Sequence, residues 1–119
     1  MNRVLLAGKD WQARALLRAQ LIEEGVDVEA HESVSEASAS LEASEALPAL
    51  LVADLFVSDN QAADIEELAK WSRDVPVWII ASHSMIAEAS LKGRGFELIL
   101  FRPVDLGELV GQIKKRLEA

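Results

Sequence analysis

At 119 residues and without a cysteine, the chain is the size of one domain able to bury its own core, and disulfide frameworks and thiolate metal sites are excluded. Twenty Asp and Glu against twelve Lys and Arg give a formal charge of -8 spread along the chain, which argues against direct nucleic-acid binding, because neutralising phosphates needs clustered Lys and Arg. No apolar stretch reaches the roughly 18 residues of a membrane span, so the reading is of a soluble, cytoplasmic domain with no membrane contact.

Arg3 to Ala7 reads as a first strand, and Gly8-Lys9-Asp10 as a turn and N-cap. Trp11 to Glu24 has helical spacing, with Ala13, Leu17 and Leu21 on an inward stripe and Gly25 as its stop. Val26 to Ala30 alternates Val26, Val28 and Ala30 with Asp27 and Glu29, the pattern of a half-exposed edge strand. Ser33-Val34-Ser35-Glu36 is a capping box in which Ser33 and Glu36 satisfy each other's amides. It opens a helix with Val34, Ala37 and Leu41 inward that ends before Pro48.

Pro48 to Asp54 organises the rest. A continuous apolar run of strand length reads as a strand buried on both faces, which implies a parallel sheet with helices on either side. The run ends on Asp54. In open sheets of this kind the working crevice lies outside the carboxyl ends of the strands, so this acid is a functional candidate rather than a mere turn cap. Ser58-Asp59-Asn60 then offers caps for a helix from about Ala62 to Ser72, with Ile65, Leu68 and Ala69 inward. Pro76 to Ala81 is another fully apolar strand, and Met85 to Lys92 a short helix. Gly93 and Gly95 break the pattern before a fifth strand at Leu98 to Phe101. The last helix, about Leu106 to Leu117, carries Leu106, Leu109, Val110, Ile113 and Leu117 on one face. Lys114-Lys115-Arg116 falls in its last turn, where cations complement the dipole. Five strands alternating with five helices make an α/β fold, a single doubly wound parallel sheet with right-handed crossovers, over residues 1–119.

In this order the chain resembles the receiver domain of two-component response regulators over essentially its whole length. The resemblance is carried by Pro48 through Leu55 with Asp54 at the phosphoacceptor position, Val75-Pro76-Val77 opening the fourth strand, Arg102-Pro103 after the fifth, and Arg14 and Gly25 around the first helix. It implies the CheY-like, flavodoxin-like (βα)5 fold with strand order 2-1-3-4-5. It also implies phosphorelay signalling, in which a histidine kinase and a magnesium ion serve phosphorylation of Asp54 and the domain is not itself an enzyme. Partners would be the kinase or a downstream effector, reached through the fourth helix, fifth strand and fifth helix, with a homodimer as an option.

The pattern departs from the family around the phosphoacceptor. Gly8 and Lys9 stand where receivers place two adjacent acids, and Asp10 follows directly. Arg102 replaces the family's Lys, Ala81 its hydroxyl residue with Ser82 next door, and Ile99 its switch aromatic; Val57-Ser58-Asp59-Asn60 lacks the usual Pro-Gly. Bringing a dianionic phosphoryl group to a carboxylate calls for a hard cation held by carboxylates, and Asp10 and Asp54 are the candidate ligands left for one. A lysine beside them opposes metal binding by like charge. Lys9 is expected to lie against Asp54 as an ion pair, together with Arg102; the alternative leaves Lys9 in solvent and Asp10 serving the metal. Lys9, Asp10, Ala81, Ser82, Arg102 and Pro103 are the expected lining of the site.

Other singled-out residues take plainer readings. Trp11 reads as packing rather than a roof over the site, Trp71 and Trp78 as core or interface, His83 as a polar loop residue, and His31 as the unpartnered end of an edge strand. The favoured function is a pseudo-receiver, a protein-interaction module with no cofactor or only weakly bound magnesium. The alternative is a receiver phosphorylated on Asp54. A small enzyme or nucleotide-binding protein is remote, since Gly8 stands alone without a phosphate-binding fingerprint, and the neighbours Ser82 and His83 are poorly placed to form a triad with Asp54.

Overall fold

The computed structural model describes residues 3–83 and 88–119. The elements alternate as β1 (Arg3–Gly8), α1 (Trp11–Glu23), β2 (Asp27–His31), α2 (Val34–Ala43) and β3 (Leu50–Asp54), then α3 (Gln61–Trp71), β4 (Val77–Ala81), α4 (Glu88–Leu91), β5 (Leu98–Phe101) and α5 (Leu106–Glu118). The first part of the helix predicted from Met85 lies outside the described residues. All neighbouring strands are parallel, in the order β2-β1-β3-β4-β5.

Alternation along each strand divides the core in two. Val4 and Leu6 of β1, Leu50 and Val52 of β3, and Trp78 and Ile80 of β4 face α1 and α5, meeting Leu17, Leu21, Leu109, Val110 and Ile113. The intervening Leu5, Ala7, Leu51, Ala53, Val77 and Ile79 face α2, α3 and α4, meeting Val34, Leu41, Ile65, Leu68 and Leu91. The two-sided burial predicted for β3 therefore arises from helices on both faces. Strand order reverses between β1 and β3, so their carboxyl ends flank the switch-point crevice.

Helix ends explain where two readings moved. Gly25 has φ 82 and closes α1, its amide donating to the Ile22 carbonyl at 3.0 Å while that of Val26 reaches back to Leu21 at 3.0 Å. Val26 is thereby used in the helix stop, and β2 begins one residue later than the alternation predicts, at Asp27. At α2, the Ser33 hydroxyl accepts from the Glu36 amide at 3.1 Å, but the Glu36 carboxylate accepts from Glu32, at 3.3 Å, rather than from Ser33. The capping box is thus not reciprocal.

Candidate functional site

Asp54 ends β3 with its side chain 17 % exposed, on the face shared with α1 and α5. Its register partner on β1 is Gly8. A Cβ at residue 8 would stand 3.2 Å from the Asp54 Cβ, so the missing side chain is what lets the two strands carry the carboxylate here without a neighbour pushing on it. Arg14, in the first turn of α1, donates to the Gly8 carbonyl and ties α1 to the end of β1. Leu55, next after Asp54, donates its amide to the Ile80 carbonyl at 2.9 Å, which fixes the start of the following loop against β4.

The carboxylate is held from two directions. One oxygen, Oδ1, accepts the amide of Phe56 at 3.0 Å, an Asx-type turn; the other, Oδ2, pairs with the guanidinium of Arg102. Arg102 reaches it because the β4–β5 ladder runs one residue past β5, the Arg102 amide donating to the Ala81 carbonyl at 2.8 Å. The same Nη2 lies 3.7 Å from Oδ2 of Asp10. Asp10 is also the N-cap of α1, its Oδ1 accepting from Ala13 at 3.4 Å. The guanidinium lies over the ring of Phe56, 4.4 Å from its centroid, and its Nε is buried without a hydrogen-bond partner. The Arg102–Pro103 peptide bond is cis.

Asp54, Asp10 and Arg102 are therefore brought together. Lys9 is not on Asp54: its ammonium pairs with Asp59, in the loop after β3, and both side chains are largely exposed. The expected two-cation clamp is corrected to a single guanidinium, because the strand end turns Lys9 outward toward the crevice. Ala81 is buried on the opposite face, packed toward α4 and paired with Phe101 of β5. Ser82 follows half-buried, and Pro103 is exposed. His83 stacks on Phe101 with ring centroids 4.1 Å apart. His31, read as unpartnered, bonds Glu29 at 2.5 Å. Trp78 is core, whereas Trp11 is 65 % exposed and packs little. Phe56 was not among the expected site residues; an aromatic two positions after the strand-end acid, able to fold back over it, was the available signal.

Two spaces meet at Asp54. Toward α1 and α5 lies a cavity of about 70 Å³ walled by Leu6, Leu17, Val52, Ile80 and Leu109. Toward α2 and α3 lies a crevice of about 300 Å³ bordered by Lys9, Ser33, Asp59 and Asn60. Magnesium takes near-octahedral oxygen ligands at about 2.0–2.1 Å. Here the space between the Asp10 and Asp54 carboxylates is spanned by a guanidinium, and no cluster of three acids or histidines able to hold a metal occurs among the described residues. In this arrangement the site does not fit the ion.

No family model and no curated protein matches the chain by sequence. Solved structures do match in fold. A CheY-like response regulator receiver domain protein from Methanospirillum hungatei JF-1 superposes with TM-score 0.80 at 19% identity, over 99% of this chain and 94% of that one. A response regulator receiver domain protein from Clostridium thermocellum gives 0.80 at 17% identity, over 99% and 95%. A protein described as one of a family of redox sensors in the streptococci that evolved from two-component response regulators gives 0.77 at 19%, over 99% of this chain and 52% of that one. The fold is that of CheY-like receiver domains. No helix among the described residues is long and apolar enough to cross a membrane.

Proposed function

We propose that the chain is an atypical receiver of two-component signalling, a pseudo-receiver that works as a protein-interaction module rather than by magnesium-dependent phosphorylation. One observation carries this reading: Arg102 spans Asp54 and Asp10 and supplies, from within the chain, the positive charge that a metal would bring. A phosphoryl donor would meet a carboxylate already paired on one oxygen and hydrogen-bonded on the other. Gly8 and Ala81 further remove an acid and a hydroxyl from the positions where the receiver resemblance expects them. The domain is no enzyme on this reading, works in the cytoplasm and needs no cofactor. Thiol chemistry of the kind a redox sensor could use is not open to a chain without cysteine.

The partner is a protein, a histidine kinase or an effector, and the resemblance puts it on α4, β5 and α5, where a homodimer would also form. The exposed large apolar side chains among the described residues lie elsewhere: Trp11, Leu16 and Ile22 on α1, Phe56 and Val57 after Asp54, and Leu47 alone before β3. That distribution favours α1 and the site rim as a second contact surface.

The test is a titration of magnesium, then of beryllofluoride with magnesium, followed by tryptophan fluorescence and amide NMR. The reading expects silence at Asp54, Asp10 and Arg102 in a folded protein. Saturable shifts at those residues would overturn it in favour of a receiver phosphorylated on Asp54.

A further inference from the structure

Phe56 touches both halves of the ion pair. Its amide donates to Asp54 Oδ1 at 3.0 Å, and its ring lies 4.4 Å beneath the Arg102 guanidinium. A guanidinium over an aromatic face is attracted by the ring quadrupole, and a planar cation stacked in this way loses the freedom to swing toward solvent. Arg102 needs such a hold, because its Nε finds no acceptor and its tie to Asp10, at 3.7 Å, is loose. The ring, though exposed itself, covers one face of the guanidinium. The next residue, Val57, is the one non-glycine residue at positive φ among those described, at 55°. A β-branched residue is disfavoured there, and this conformation is part of the turn that returns Phe56 over the strand end.

We infer that Phe56 is the positioning residue that keeps Arg102 on Asp54, so that the chain's own guanidinium, rather than a divalent cation, is the resident counterion of the site. This inference rests on the reading of Arg102 proposed above, and the experiment separates the two.

Magnesium alone is titrated into the wild-type chain and into Phe56→Ala, Phe56→Tyr and Arg102→Ala, each checked for folding by circular dichroism. The Arg102 Nε–H resonance is recorded in every variant that keeps it. Arg102→Ala should uncover a measurable magnesium affinity. Phe56→Ala should gain part of it, roughly 2- to 30-fold over wild type, the range spanned by exposed to desolvated cation–π contacts. Phe56→Tyr, which keeps the ring, should behave as wild type. In Phe56→Ala the Nε–H signal should also lose its ring-current shift and exchange faster with water.

If Arg102→Ala gains affinity and Phe56→Ala does not, the inference about Phe56 falls while the reading of Arg102 stands. If Arg102→Ala gains nothing, that reading fails. The Nε–H exchange rate then decides for Phe56 alone, since the shift changes with loss of the ring in either case: an unchanged rate in Phe56→Ala overturns the positioning role, and faster exchange supports it. Should Phe56→Ala fail to fold, Phe56→Leu, which keeps apolar bulk without the quadrupole, takes its place with the same expected direction.

Discussion

Asp54 and Arg102 meet across a strand that belongs to neither. β4 separates β3 from β5, and the guanidinium reaches over its carboxyl end to the carboxylate, while its own amide is pinned to Ala81. The pair therefore ties together the carboxyl ends of three adjacent strands, and with the weaker contact to Asp10 it extends to the start of α1.

Arg102→Ala should destabilise the domain by about 1–2 kcal/mol, read by urea unfolding. The pair is partly exposed, at 28 % and 17 %, so the loss stays below that of a fully buried pair broken on one side. Arg102→Lys should recover less than half of it. An ammonium keeps the charge but has no planar face to stack on the Phe56 ring, so it is held less firmly between the two acids. Full recovery by lysine would mean that charge alone matters at this position.

The architecture was legible because the signals for it are local. Continuous apolar runs such as Leu50 to Ala53 and Val77 to Ala81 need helices on both faces, and Gly25, Ser33 and Asn60 mark helix ends through backbone chemistry that depends on a few neighbours. The candidate acid at the end of β3 was legible for the same reason. The partner of Lys9 was not. Asp54 and Asp59 are both acids near the end of β3, and only the direction in which the β1 end releases Lys9 decides between them. His31 shows the same limit, since Glu29 and His31 lie on one face of a strand by the two-residue period, yet whether they bond depends on the Arg3 and Ser40 that also converge on Glu29. The role of Phe56 depends on a loop whose next residue adopts an unfavourable φ, which no propensity would suggest.

Glu29 makes the domain's acid sensitivity testable. Its carboxyl is held below the usual range of about 4.5 by the hydrogen bond from Ser40 first, then by that from His31, with the charge of Arg3 adding to them against the cost of burial. A group lowered in the folded state contributes stability that is present above its unfolded value and lost as pH falls through the folded one. Ser40→Ala brings the folded value back toward the ordinary one. The variant should therefore be less stable than wild type at neutral pH, and the gap should close as the pH falls below the ordinary carboxyl value of about 4.5. A gap independent of pH would assign the Ser40 hydroxyl a purely structural bond.

Val57 is the cheapest place to gain stability. A β-branched side chain at φ 55 is strained by roughly 1–3 kcal/mol, and asparagine tolerates this region without the flexibility that glycine adds to the unfolded chain. Val57→Asn should raise stability by about 1 kcal/mol and leave the Arg102 Nε–H signal where it is. A loss of stability would mean that the exposed Val57 side chain makes contacts worth more than the strain.

Lys9 and Arg102 are both cations near the acids, and a double replacement separates their effects. Lys9 is paired outward with Asp59, both groups are largely exposed, and exposed pairs contribute about 0–1 kcal/mol. Lys9→Asp alone should hardly change stability. It adds a carboxylate at a position matching one of the receiver acids, yet it leaves the Arg102 guanidinium between Asp54 and Asp10. Magnesium affinity should accordingly stay weak in Lys9→Asp and rise clearly only when Arg102→Ala is combined with it, with a gain larger than the product of the two single effects. Calorimetric titration of the four proteins checks this. Strong binding by Lys9→Asp alone would mean that Arg102 yields readily to a divalent ion, and that Lys9 rather than Arg102 is what keeps the metal out.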